Sequence, residues 1–301
     1  MDAFYIILTA TLFAISCGLL GCFLILRKMA MVGDAISHAV LPGIVIAFLL
    51  TGTRDSFEMI LGAALIGIFS TFLIEFFHHK ARLQTDAAIG VTFTWLFALG
   101  VILISVFAGQ VDLDQECVLY GEIAYVPIDL WIGDNGTIFG PRALYVAAMT
   151  LIVNVAFIRI GFKQLHLTTF DPAFAATIGV SVSLWNYLLM GAVSMTTVAA
   201  FDSVGAILVV ALLVGPAAIA YLLTDRFQTM MIITVFVAIV SSALGYYLAV
   251  WVDGSIAGAI VTIIGILFGI TFLFSPGHGV LMKKRLQRKE AQRLKTEAPL
   301  S

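Results

Sequence analysis

Charge is the scarce component of this chain. Asp, Glu, Lys and Arg make up 11% of it, and 61% is hydrophobic, whereas a soluble globular domain is about a quarter charged. That balance excludes an ordinary soluble fold and predicts an integral membrane protein. Cysteine is sparser still. Cys17, Cys22 and Cys117 show no CxxC or CxxH spacing, which excludes a zinc knuckle and a disulfide framework. Cys17 and Cys22 are expected in the core of the first helix, and Cys117 as a buried thiol or a reactive one in an acidic segment. No Walker A, GxSxG, HExxH or GxGxxG pattern stands in a supporting context, so the chain is expected not to hydrolyse ATP and not to be an enzyme. A net charge of −2 implies no nucleic-acid partner by itself.

What is abundant is long apolar sequence. A helix needs about 20 apolar residues to cross a bilayer core, and nine such runs occur, near residues 4–26, 29–51, 57–77, 87–108, 141–159, 180–200, 203–223, 229–250 and 254–274. Only "AFDS" separates the sixth from the seventh, so eight full spans is the alternative count. The first run has no basic residue before it and no small-x-small site, and is read as a transmembrane helix rather than a cleaved signal.

Lys and Arg set the orientation, because the short loops that hold them stay in the cytoplasm. With the N-terminus outside, 14 of 16 fall on the inner side and only Arg54 and Arg142 face outward. The C-terminus is then cytoplasmic. Acidic residues, among them Asp55, Asp112, Asp114, Glu116 and Asp202, fall on or near the outer side. A negative mouth attracts cations or a basic docking surface, although polar loops also carry such charge for solubility. Residues 1–279 form one transmembrane domain, with an outer polar segment at 109–142 and an inner one at 160–179, and 280–301 form a basic tail suited to anionic lipid. Within the inner segment, "TTFDPAFAATIG" carries a Thr/Asp cap, Pro172 at the first helical position and Gly179 at the end, which predicts a short cytoplasmic helix. A partner protein below the membrane would explain it.

The second span contains Asp34 and His38, and ionisable groups inside hydrocarbon are costly and face an interior, a pore or a partner. Their i, i+4 spacing puts both on one helical face, and a carboxylate with an imidazole suits a borderline divalent cation. An internal Asp–His hydrogen bond and a proton relay use the same residue types and stay open. Two ligands are too few for a dehydrated Zn²⁺ or Mn²⁺, but a second subunit meeting at this face would double them. Ser37 is an auxiliary candidate, and Pro42-Gly43 just beyond would weaken the helix and free carbonyls. In the seventh span Gly215 and Pro216 permit close packing or a bend at a gate. His78, His79, His166 and His278 are read as interfacial, and Glu75, one turn before His79, either snorkels or pairs with it.

"RKMAMVGDAISHAVLPGIVIAF" closely resembles the permease subunits of bacterial metal-ion ABC importers. The resemblance continues, in order, through "ARLQTDAAIGVTFTWLFALGVIL", "VDLDQECVLYGEI", "FDPAFAATIGV" and "VGAILVVALLVGPAAIAYLLTDR". It implies an all-α polytopic permease of eight or nine spans in the cytoplasmic membrane. Metal would come from an extracytoplasmic binding protein, and a cytoplasmic ABC ATPase dimer would drive the cycle. The permease would pair with a second permease, identical or not. The family's metal-coordinating Asp and His correspond to Asp34 and His38, and its ATPase-coupling helix to the segment with Asp171, Pro172, Phe174 and Gly179. The metal, Mn²⁺ by a lean toward that subgroup and otherwise Zn²⁺ or Fe²⁺, is cargo and not a resident cofactor. The rival reading is a proton-coupled secondary carrier with no ATPase.

Overall fold

The computed structural model describes residues 2–39, 41–51, 56–107, 123–132 and 138–275. Eleven helices occupy most of them: α1 (Asp2–Leu26), α2 (Val32–Ala39), α3 (Leu41–Thr51), α4 (Ser56–Lys80), α5 (Thr85–Phe107), α6 (Arg142–Phe170), α7 (Pro172–Thr177), α8 (Val182–Val204), α9 (Ala206–Leu223), α10 (Phe227–Val252) and α11 (Ile256–Phe274). Lipid supplies no hydrogen-bond partners, so backbone that crosses it must close its bonds within a helix or a closed barrel. Sheet is accordingly confined to one antiparallel pair, β1 (Leu130–Ile132) with β2 (Ile138–Pro141), among the described residues.

Among the described residues, eight stretches are long and apolar enough to cross a membrane: α1, α2 together with α3, α5, α6, α8, α9, α10 and α11. In α4 the apolar stretch is Ala64–His78. The chain is thus an all-α, multi-pass membrane protein. Its outer surface fits lipid, with Leu50, Ile160 and Trp251 each more than 80% exposed. Facing water, patches of this kind would drive aggregation.

Three boundaries differ from the sequence reading. The span expected at 29–51 begins at Val32 and consists of α2 and α3 on either side of Val40, which lies outside the described residues. The fifth span does not stop at 159 but runs on as α6 to Phe170, so Arg159 and Lys163 sit on a helix rather than in a loop. No proline lies between 159 and Phe170, the single Gly161 is tolerated within the helix, and Pro172 then ends the run. The residues of "AFDS" belong to α8, and Gly205 alone separates α8 from α9. Gly205 has φ +77°, a conformation that costs a residue without Cβ nothing.

Helix α1 packs against α6, α9 and α10, while α2 is enclosed by α4, α5, α8 and α9. Cys17 and Cys22 are buried in α1, as expected, and Cys22 Sγ lies 3.2 Å from Thr234 Oγ1. Small residues set the closest approaches. A Cβ on Gly21 would overlap the Leu213 carbonyl, so α1 and α9 touch backbone to side-chain-free backbone there. One buried polar group ties three helices: Asn154 Nδ2 donates to Ser16 Oγ and to Thr196 Oγ1, both at 2.7 Å, joining α6 to α1 and α8.

Candidate metal site

Asp34 and His38 lie one turn apart on α2, with His38 Nε2 3.6 Å from Asp34 Oδ1. Both side chains keep about a third of their surface accessible, 33% and 38%. The imidazole is walled by two rings of α5, Phe93 at 5.9 Å and Phe97 at 5.8 Å between centroids. Neither ring was singled out from sequence, where aromatics in an apolar run look like ordinary lipid-facing residues.

The neighbours of α2 fix its depth. Gly33 is pressed against Leu213, and Ile36 lies 3.6 Å from the Cβ position of Gly67. Leu213, Gly67 and Phe97 are all near the middle of their own helices, α9, α4 and α5. The pair therefore sits near mid-bundle, not in the inner half that a helix beginning at residue 29 implied.

As a metal site the pair would be incomplete. One carboxylate and one imidazole offer two donors, and no group of three or more His, Cys, Asp or Glu side chains that could hold a metal occurs among the described residues. Divalent transition metals take four to six ligands, so for this pair to hold one, further donors would have to be supplied from elsewhere. The side chain of Ser37 lies outside the described residues, as do Cys117, the acidic segment 108–122 and the basic tail from 276.

Pro42 and Gly43 follow immediately in α3, both buried. Pro42 is the second residue of that helix, where its missing N–H breaks no hydrogen bond. A Cβ on Gly43 would collide with the Gly62 carbonyl of α4, and one on Gly100 of α5 would come within 2.9 Å of Pro42 Cδ. Both residues thus lie where α3, α4 and α5 meet, one turn beyond His38. Gly215 and Pro216 face elsewhere: Gly215 abuts Ile264 of α11, and Pro216 lies beside Gly18 of α1, while α9 runs through both as helix.

At one end of the bundle stands α7, six residues long. Asp171 caps it, its Oδ1 accepting from Phe174 N at 2.9 Å, and Pro172 occupies the first position. Gly179 reverses the chain at φ +82°, and Val180 N bonds back to Ala175 O at 3.0 Å. Ala175 is buried against the bundle, whereas Phe170, Phe174 and Ile178 are each more than half exposed. The structure thus brings Asp171, Pro172, Phe174 and Gly179 together, and holds them apart from the Asp34–His38 pair.

Sequence reasoning missed a third cluster. Glu75 does not snorkel; it is 8% exposed and accepts from Asn186 Nδ2, whose Oδ1 in turn accepts from Arg27 Nη1 at 2.7 Å. Burial pulls the Arg27 guanidinium down to about 10, against the opposing influence of Glu75. The signal was an Arg at a span end and an Asn inside an apolar run, each of which alone reads as an anchor. Among the histidines, His78 Nδ1 is 2.9 Å from Leu83 O and the His166 ring lies 4.6 Å from that of Phe170 between centroids; the side chain of His79 and all of His278 lie outside the described residues.

Comparison with known proteins places this geometry. A family described as the ABC 3 transport family matches residues 3–275. The manganese transport system membrane protein MntD of Bacillus subtilis (strain 168) is 48% identical over 280 residues, which is 93% of this chain and 94% of that protein. The zinc transport system membrane protein TroD of Treponema pallidum (strain Nichols) is 42% identical over 286 residues, 94% of this chain and 77% of that protein. Among solved structures, PsaBC from Streptococcus pneumoniae in complex with Fab superposes with a TM-score of 0.75 at 32% identity, covering 93% of this chain and 94% of that one. With nearly its whole length matched in sequence and in fold, the chain belongs to the ABC 3 transport family.

Proposed function

We propose that this chain is the non-catalytic permease subunit of a bacterial ABC importer for divalent transition-metal ions, with Mn²⁺ favoured and Zn²⁺ or Fe²⁺ as other cargo, set in the cytoplasmic membrane. The observation that carries the reading is the Asp34–His38 pair, placed near mid-bundle in a member of a transport family. Ionisable groups at that depth are costly unless function retains them. No third His, Cys, Asp or Glu joins the pair among the described residues, and a second permease subunit, identical or not, is proposed to supply an equivalent pair across the path.

In this reading the end bearing α7 faces the cytoplasm, as the excess of Lys and Arg there requires. The exposed Phe174 and Ile178 on and beside α7 meet a partner ATPase dimer, and metal arrives from an extracytoplasmic binding protein at the opposite end. ATP-driven closure of the ATPases shifts the permease between outward and inward access, each state binding the cation differently. Metal binding needs Asp34 ionised and His38 neutral, so protons compete with cargo.

The test is ⁵⁴Mn²⁺ uptake into proteoliposomes holding the permease with its ATPase, binding protein and ATP. ATP-dependent uptake abolished by Asp34→Ala and by His38→Ala supports the proposal. Uptake by the permease alone down a proton gradient would instead favour the proton-coupled carrier.

A further inference from the structure

Arg27 and Asn186 together link four elements: the end of α1, α6, α8 and α4. Arg27 Nε donates to Thr169 Oγ1 at 3.0 Å and its Nη2 to Thr168 Oγ1 at 3.0 Å, both on the last turn of α6 just before the α7 cap. Its Nη1 donates to Asn186 Oδ1 on the second turn of α8, and the other end of that amide donates to Glu75 of α4. The Asn186 amide is therefore held between a cation and an anion, with its carbonyl toward Arg27 and its NH₂ toward Glu75. Only that orientation satisfies both charges.

Position makes this cluster more than a buried ion pair. Arg27 is the first residue after α1 and begins the turn that leads into α2, so a pull on its side chain acts on the root of the helix that carries Asp34 and His38. Two turns beyond Glu75, Gly67 of α4 seats Ile36 of α2 and adjoins Ser194 Oγ of α8, itself two turns beyond Asn186. The cluster and the metal-site helix are thus connected by three rigid routes: the Arg27–Met31 turn, α4 and α8. On the other side, only Phe170 and Asp171 separate Thr169 from α7.

Resting on the permease reading above, we propose that Arg27, Asn186 and Glu75 form the coupling joint of the transport cycle: positioning residues that tie displacement of α7 to displacement of α2. The planar guanidinium suits this because one rigid fork holds three acceptors on two helices, which a point-charge Lys does not reproduce. A salt bridge made directly between Arg27 and Glu75 would join α4 to α1 without α8; the interposed Asn186 brings α8 into the joint.

The experiment measures ⁵⁴Mn²⁺ uptake and ATP hydrolysis in the same proteoliposomes, so that the result is metal moved per ATP. Arg27→Gln and Asn186→Asp are each expected to lower that ratio roughly tenfold while the complex still hydrolyses ATP. The second variant places two carboxylates face to face. Arg27→Lys should give an intermediate ratio, and Thr169→Val, which removes one of the three acceptors of Arg27 together with a hydroxyl bond back to Leu165 O, a smaller loss. If Arg27→Gln fails to assemble, Asn186→Asp and Thr169→Val decide the matter. A ratio equal to wild type in the assembled variants, or uptake and hydrolysis falling in parallel, overturns the joint and leaves a structural cluster. A wild-type complex with no ATP-dependent uptake overturns the permease reading, and the joint with it.

Discussion

His38 Nε2 stands 3.6 Å from Asp34 Oδ1, close enough to attract and too long for a good hydrogen bond. A pair retained only for packing would be expected to close that gap. A gap that a cation or water can enter, on side chains still a third accessible, leaves both groups free to turn toward a shared ligand. Replacing either donor should therefore remove transport without unfolding the bundle: Asp34→Asn and His38→Gln are expected to lower Mn²⁺ uptake by at least about tenfold. Thermal midpoints in detergent should stay near wild type. Uptake retained in both variants would place the permeation path elsewhere.

Phe93 and Phe97 wall the imidazole from the α5 side. Their rings restrict which way His38 can turn, so Phe97→Ala should loosen the site rather than delete it. The expected result is weaker discrimination between metals, read as a rise in inhibition of Mn²⁺ uptake by competing Zn²⁺, with maximal uptake at saturating Mn²⁺ little changed. An unchanged competition profile would make the rings lipid-facing packing and nothing more.

Glycines separate structural from incidental small residues. A Cβ on Gly43 would strike the carbonyl of Gly62, a backbone atom that cannot rotate away, whereas one on Gly90 would meet nothing within 4 Å. Gly43→Ala should force α3 from α4 at a cost of about 1–3 kcal/mol, the usual range for overpacking. Gly90→Ala should be neutral or slightly stabilising, since Ala favours helix by about 1 kcal/mol over Gly. Thermal melts of the two purified variants check the contrast; equal midpoints would refute the close approach.

The helical spans were legible because the apolar runs are long and the bilayer sets their length. The cap of α7 was legible because Asp, Pro and Gly each act through local backbone geometry, which sequence alone encodes. The depth of Asp34 was not, since counting residues from the span start assumes a straight helix, and tertiary contacts at Gly33 and Ile36 override that assumption. Nor was the Arg27–Asn186–Glu75 cluster: its members lie 159 and 111 residues apart along the chain, and only helix packing reveals that three isolated polar residues are one group. The end of α6 was misread for a related reason. Its polar residues after 159 looked like a loop, but a helix emerging from a membrane stays a helix for as long as nothing breaks it.

The short helix α7 allows folding and docking to be separated. Asp171 holds its first turn through Phe174 N, while the Phe174 side chain is 52% exposed and contributes little to the bundle's interior. Asp171→Ala removes a cap worth about 1 kcal/mol and should fray α7, raising protease sensitivity around residues 171–179 while the rest of the chain stays intact. Phe174→Ala should leave that sensitivity unchanged and yet weaken capture of the partner ATPase, because exposed aromatics at an interface carry a large share of binding. Proteolysis and co-purification, run on both variants, give two readouts that must diverge. If Phe174→Ala retains the ATPase at wild-type stoichiometry, this exposed face of α7 is not where the motor binds.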